Sequence, residues 1–432
     1  MARVVEDIAC TVCGCVCDDL RATVDAGRIT AMEPHCPLHA AWFARHNIAA
    51  PAVQATVAGK PATVDAAAAA AAKILRAARQ PLIYGLSRSS TPGQRAAVRL
   101  ADRVGAIIDT TASTCHGNSI VALQTVGEST CTLGEVRNRC DLVIYWGANP
   151  AVSHPRHMER YSLEPRGQFV PEGRAGRKLV VFDIQETATT ALADDFVRIR
   201  PSSDFEVLWA LRALVLGAPL QASEVGGVPV ERLAALAEQM KTCRSGVLFF
   251  GRGLSLGRNG HAGVEALLRL TRDLNAHTRF YARRMRIYGD VAGADSVLGW
   301  QTGYPFSVNM ARGYPRYNPG EYSAEQCLVR GEVDACLLVG SDGLNVLSPQ
   351  ARERLKQIPT IALDYPGAER IAAADVQFTT AVYGLHRPGT AYRMDEVPIP
   401  LRAVVDSPLP SDDEVLEQIH AAFETKAPGT VS

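Results

Sequence analysis

The chain has 432 residues, of which 47% are hydrophobic, enough for two or three domains with large buried cores. Its 45 basic side chains are balanced by 45 acidic ones, which excludes the basic excess that binding to a nucleic-acid backbone requires, and no run of 18 apolar residues is present to cross a membrane. The first residues, Met-Ala-Arg-Val-Val-Glu-Asp, carry neither an apolar signal core nor a twin arginine, so the chain is expected to be cytoplasmic.

Residues 1–54 are cysteine-rich with few long apolar runs, the pattern of a small lobe organised by a metal. From there the sequence alternates. Val64–Arg79 reads as an alanine-rich helix, Pro81–Gly85 as a short buried strand, Thr91–Val104 as a helix opened by Thr91-Pro92, and Ala106–Asp109 as a strand. Leu142–Gly147, Lys178–Asp183 and Gly246–Gly251 are continuous apolar runs of the kind buried on both faces of a parallel sheet, separated by the helical patterns Phe205–Leu216 and Gly263–Ala276. Cys336–Gly340 and Thr360–Asp364 repeat the strand pattern with a helix between them. This alternation predicts α/β architecture with largely parallel sheets. Gly289–Glu321 is rich in glycine, proline and aromatic residues and reads as a long irregular segment of functional character; Gly384–Arg402 has the same texture. From Lys426 the chain is expected to fray.

Of eleven cysteines, five fall in the first 36 positions. In a cytosolic chain such a cluster points to metal or catalysis before disulfides. Cys10, Cys13, Cys17 and Cys36 have the spacing C-x2-C-x3-C-x18-C, with three thiolates on a tight loop and a fourth from a distance. That suits a cubane [4Fe-4S] cluster, and a four-cysteine zinc site is the rival; Cys15 is an extra thiol inside the loop. Cys115, followed by His116 and Gly117, lies beyond a strand end, where open α/β sheets bind ligands. A soft thiolate there can ligate a metal, and a histidine can carry a proton. Other strand-end loops offer Gly147, Asn149, Pro150 and His154 for phosphate or purine groups, Asp183 for a ribose hydroxyl, and Asp204 as a helix cap or a ligand contact. No G-x-G-x-x-G follows a strand in the right place. Tyr281-Ala-Arg283-Arg284-Met-Arg286 is a cationic strip suited to carboxylates or phosphates.

Together these residues resemble the molybdopterin oxidoreductase family that includes formate dehydrogenases, and within it the formylmethanofuran dehydrogenase B subunits. The likeness runs nearly the whole length. It is carried by the cysteine cluster with Asp18-Asp19, by Cys115-His116-Gly117, Thr132–Arg137, Trp146–Pro150 and Ser153–His157, and later by Gly299–Pro305, Pro315–Pro319 and Gly389–Asp395.

The resemblance implies a formate dehydrogenase-like fold. An iron-sulfur domain would span 1–54, a discontinuous α/β domain 55–130 and 331–432, and a pterin-dinucleotide-binding α/β domain 131–330; the family's C-terminal β domain would be absent and supplied by a separate D subunit. It further implies a bis-molybdopterin guanine dinucleotide holding tungsten or molybdenum on Cys115, proton movement by His116, orientation of formate or CO2 by Arg284 (or Arg283), and electron passage through the cluster on Cys10, Cys13, Cys17 and Cys36. Lys60, in Ala-Gly-Lys-Pro, reads first as part of a surface turn; the alternative is that it would guide formate outward. Partners would be an A subunit of zinc amidohydrolase type, the C and D subunits, and an electron carrier the resemblance does not identify. The alternative it leaves open is a non-redox scaffold in a bacterial formyltransferase/hydrolase complex that releases formate from formyl-methanofuran analogues. Arginine outnumbers lysine 39 to 6, the reverse of hyperthermophile lysine enrichment, which suits that second setting.

Overall fold

A parallel sheet buries everything except the ends of its strands, and two such sheets carry this chain. The computed structural model describes residues 2–257, 259–368 and 374–425, so the expected fraying from Lys426 lies outside the described residues. The chain forms two units, Met1–Thr114 with Tyr288–Ser432, and Cys115–Ile287. These boundaries fall at 114 and 288, where the sequence suggests 130 and 331.

The Cys115–Ile287 unit holds a five-stranded sheet in the order Asp195–Arg198, Lys178–Asp183, Leu142–Trp146, Ser245–Phe250, Arg279–Arg284, and every pairing is parallel. The chain starts in the middle, winds outward to one edge, then returns to wind outward to the other. Leu142–Trp146 therefore lies beside Ser245–Phe250 although about a hundred residues separate them, and the strand order reverses between the two. Both strands are buried along their whole length, as their apolar runs require. Helices Asp204–Val215, Val230–Thr242 and Gly260–Leu274 close over a core built around Trp146, Phe182, Phe250 and Phe280. Trp146 stacks on Phe182 with ring centroids 4.1 Å apart.

The other unit holds a nine-stranded sheet. Five central strands, Ile107–Thr110, Pro81–Gly85, Ala335–Val339, Thr360–Asp364 and Val376–Thr379, pair in parallel in that order. Antiparallel strands extend both edges: Val308–Asn309 and Arg316–Tyr317 on one side, Ala55–Val57 and Lys60–Ala62 on the other. Here too the order reverses, between Pro81–Gly85 and Ala335–Val339. The same unit includes a three-stranded antiparallel sheet, Arg3–Ile8, Leu20–Asp25 and Arg28–Glu33, and the helix Pro37–His46.

Two segments differ from the sequence reading. Gly289–Glu321 is not irregular throughout, because Val291–Thr302 is a helix. The Asp290 side chain accepts from Gly293 N to cap its start, and Gly303 in the left-handed region ends it. The cationic strip is for the most part a strand: Tyr281, Arg283 and Arg284 lie inside the strand Arg279–Arg284, and Arg286 stands beyond its end. Among the described residues no helix is long and apolar enough to cross a membrane.

Gly85 shows how tightly the reversal point of the larger sheet is closed. Its φ is +116°, and a Cβ there would sit 2.4 Å from the Val339 carbonyl oxygen. Gly85→Ala is therefore expected to destabilise the chain by about 2 kcal/mol or more through backbone strain and overpacking. Thermal unfolding would show it as a lowered midpoint, and a wild-type midpoint would contradict this reading of the turn.

Candidate functional site

Each unit carries its own cluster of chemically capable side chains. In the first, residues 10–17 form a tight loop. Cys10 N donates to Cys17 O at 2.8 Å, Val16 N donates to Cys13 O at 3.2 Å, and Val16, a β-branched residue, is held at φ +36°. Strain of that kind survives only where the surroundings impose it. Cys10, Cys13, Cys15, Cys17 and Cys36 are all buried, and none of the eleven cysteines is in a disulfide.

The thiols lie close enough to sense one another. Burial pushes the Cys10 thiol up, and Cys13, Cys17 and Cys36 push it further. Cys15 is raised first by hydrogen bonding with Cys13 and Cys17, then by burial. Cys36 is the residue before the helix Pro37–His46; burial raises its thiol, while the Leu38 and His39 amides at the helix start oppose that by favouring the thiolate. Among the described residues no three His, Cys, Asp or Glu side chains are arranged to hold a single metal ion.

In the second unit, Cys115 and His116 precede the helix Gly117–Val126, and both are buried. The Cys115 carbonyl accepts from Ser255 Oγ at 3.0 Å, and Asn118 Nδ2 donates to Ser255 O at 2.8 Å, which fastens the loop to the segment after Ser245–Phe250. His116 Nε2 lies 3.0 Å from the Met285 carbonyl, so that nitrogen carries the proton and donates it. Nδ1 is left as the acceptor, 3.4 Å from Ser119 Oγ. Burial lowers the His116 pKa well below the usual value, and the positive charges of Arg286, Arg284 and Arg252 lower it further. A neutral imidazole thus sits within the field of three guanidinium groups, a setting that suits an anion.

The rest of that strand end is rigid. Arg284 Nη2 pairs with Glu128 Oε2 at 3.1 Å, both side chains buried, and Arg283 Nη1 donates to Thr130 Oγ1 at 2.7 Å. His154 Nε2 donates to the Arg286 carbonyl at 2.6 Å, and its Nδ1 lies 2.8 Å from Ser153 Oγ. Asn149 Oδ1 accepts from Thr189 Oγ1 at 2.7 Å, and Pro150 starts the short helix Pro150–Ser153.

Gly147, at φ +53°, allows the loop after its strand to cross the Gly251–Leu254 segment: Gly253 N donates to Gly147 O at 3.0 Å, and a Cβ on Gly147 would lie 2.9 Å from Leu254 N. Asp204 is the first residue of its helix and accepts from Trp146 Nε1 at 2.8 Å; Asp183 accepts from Ile184 N at 2.7 Å. Burial raises both carboxyls, and the charge of Asp183 adds to the effect at Asp204.

The structure therefore brings Cys10, Cys13, Cys17 and Cys36 together in one unit. In the other it fastens Cys115 and His116 to the segments after Ser245–Phe250 and Arg279–Arg284, sets Asp183 and Arg284 at the ends of their strands and Asp204 at a helix start, and puts Gly147, Asn149, Pro150 and His154 in the segment after Leu142–Trp146. Lys60 is exposed in an edge hairpin. Sequence reasoning missed Glu128, which lies about 150 residues from its arginine. It also missed Arg252 and Arg88, for which a place in a strand-end loop was the available signal.

No family model matches the chain. It is 40% identical over 426 residues to the B subunit of the tungsten-containing formylmethanofuran dehydrogenase 2 of Methanocaldococcus jannaschii, covering 96% of this chain and 98% of the relative. It is 36% identical to the protein of the same name from Methanococcus maripaludis, with the same coverage. To the B subunit of the formyltransferase/hydrolase complex of Methylorubrum extorquens it is 29% identical, over 76% of this chain and 85% of the relative. Among solved structures it is similar to a chain of that Methylorubrum extorquens complex, determined with methylofuran, at a TM-score of 0.71 and 27% identity, covering 85% of this chain and 98% of the other. Acetylene hydratase from Pelobacter acetylenicus has the same TM-score at 14% identity, over 97% of this chain and 69% of the other, a likeness of fold alone.

Burial holds His154 neutral by lowering its pKa to about 4, whereas the unfolded chain titrates near 6.5. Between those values only the unfolded form takes up the proton, so stability is lost as pH falls from 6.5 toward 4, by about 3 kcal/mol across the window. Thermal unfolding from pH 7.5 to pH 5 is expected to show a shallower loss in His154→Gln than in wild type; parallel curves would contradict the assignment.

Proposed function

The chain belongs to the family of formylmethanofuran dehydrogenase B subunits, and we propose that it is the metal–pterin component of a complex of that type, interconverting CO2 and formate with electrons passed through a [4Fe-4S] cluster. The observation that carries this reading is the placement of Cys115-His116 within the field of Arg252, Arg284 and Arg286 at the carboxyl end of a parallel sheet whose order reverses there. The identity of 40% to the tungsten-containing dehydrogenase relative, against 29% to the hydrolase-complex relative, supports the redox reading over the scaffold one.

The residues present fit the implied groups. Burial and the neighbouring thiols raise Cys10 and Cys36, which makes the group costly to ionise without a cation and well suited as metal-bound thiolates; in a cubane each cysteine would bind its own iron, so no three need share one ion. Cys115 would be the ligand for tungsten or molybdenum. Gly147, Asn149, Pro150, His154, Asp183 and Asp204 line the crevice for one pterin guanine dinucleotide, where open α/β sheets bind nucleotides. When bound, the bis-pterin metal centre supplies the two-electron chemistry.

The chain's own groups do the rest. Arg284, held by Glu128, orients the carboxylate of formate by charge and fork geometry. His116, its Nε2–H committed to Met285 O, presents a neutral Nδ1 that can accept a proton, with Ser119 Oγ beside it. Partners of the family type, the A, C and D subunits, would complete the complex, the first of them joining formate to methanofuran at its own zinc site.

Cys115→Ser in the assembled complex is expected to abolish CO2–formate interconversion while leaving assembly and iron content unchanged. The double variant Arg284→Gln with Glu128→Gln, which removes both members of the ion pair, is expected to raise the formate KM about tenfold or more with a smaller effect on kcat. Wild-type turnover in Cys115→Ser would overturn the redox reading and leave the scaffold role.

A further inference from the structure

Arg88 follows the strand Pro81–Gly85 at the point where the larger sheet reverses order, and no sequence motif singles it out. Its side chain is buried. The guanidinium Nη1 donates to the carbonyls of Thr11 at 3.0 Å and Val12 at 3.1 Å, the two residues between Cys10 and Cys13. Its Cζ lies 4.4 Å from the ring centroid of Trp42, on the helix that begins after Cys36, and 5.6 Å from that of Tyr288. One cation thus touches both stretches of chain that carry the clustered thiols.

The surroundings hold Arg88 in turn. Tyr365 OH donates to the Arg88 carbonyl, and Gly340, at φ +82°, gives the side chain room, since a Cβ there would lie 3.0 Å from Arg88 Cβ. Gly289 N donates to Val12 O at 3.1 Å, and Tyr383 OH lies 3.4 Å from Thr11 O. The loop carbonyls are therefore pinned from several directions, and Arg88 alone among these donors brings a full charge. Arg88, Asp364 and Asp412 line one small cavity, and the two carboxylates accept hydrogen bonds from Ser341 and Ser89.

A buried cation beside a redox group stabilises whichever state is more negative, because poor solvent screening strengthens its field. Cluster potentials respond to nearby charge, hydrogen bonding and exposure. We propose that Arg88 is a positioning residue for the iron-sulfur cluster, fixing the Cys10–Cys13 turn and favouring the reduced cluster through its charge. The inference rests on the cluster reading above.

Two variants separate charge from hydrogen bonding: Arg88→Lys keeps the charge and loses the fork, and Arg88→Gln keeps a donor and loses the charge. The readout is the cluster midpoint potential, from a redox titration followed by electron paramagnetic resonance on the purified complex, with iron measured on each sample. The expected result is a wild-type midpoint in Arg88→Lys and a more negative midpoint in Arg88→Gln. Equal midpoints in all three iron-loaded proteins, or equal shifts in both variants, would overturn it. If Arg88→Gln does not assemble, Arg88→Lys decides, since a wild-type midpoint supports the charge and a fall contradicts it. A wild-type complex without iron would instead defeat the cluster reading itself.

Discussion

The reversal of strand order in a parallel sheet is the constraint on which the sites depend. At such a point two adjacent strands send their following loops in opposite directions, which opens the sheet's carboxyl end to a ligand. The loops can cross only where side chains give way. Gly147 meets the Gly251–Leu254 segment in one unit, and Gly85 meets Val339 in the other. Asn149 and His154, and Cys115 through its bond from Ser255, take their positions in the Cys115–Ile287 unit from that arrangement, and Arg88 does so in the other unit.

Burial is the second theme, and it acts on protonation. Cys10, Cys15 and Cys36 are pushed up as thiols, and His116, His154 and His157 are pushed down as imidazoles. Each costs least in its neutral form unless a partner of suitable charge is supplied. Under the proposed function that partner would be a metal for the thiols and, for His116 in the field of three arginines, an anion. The same burial that shapes the sites thus makes them wait for their ligands, with a measurable penalty in acid.

Much of this was legible in the sequence. The buried strands announce themselves as unbroken apolar runs, and Leu142–Trp146 and Lys178–Asp183 lie where those runs lie. The cysteine spacing suggests that these thiols share one place, and Cys10, Cys13, Cys17 and Cys36 do lie close enough to sense one another. What the sequence concealed has physical reasons. Val291–Thr302 is buried along most of its length, so it lacks the polar face that betrays a helix. Arg283 and Arg284 read as part of a cationic strip; in the fold they are buried against Thr130 and Glu128, partners that no local pattern reveals. Arg88 is hidden for the same reason, since its meaning comes from a loop about 76 residues away.

The central claim is that this chain holds both a four-iron cluster and a tungsten or molybdenum centre. Elemental analysis of the complex purified from its native host tests it most directly, with iron, tungsten, molybdenum and zinc each counted per chain. The expected result is about four irons from the four-cysteine site, with one tungsten or molybdenum beside them. Finding neither iron nor tungsten nor molybdenum, with zinc confined to a partner protein, would contradict it.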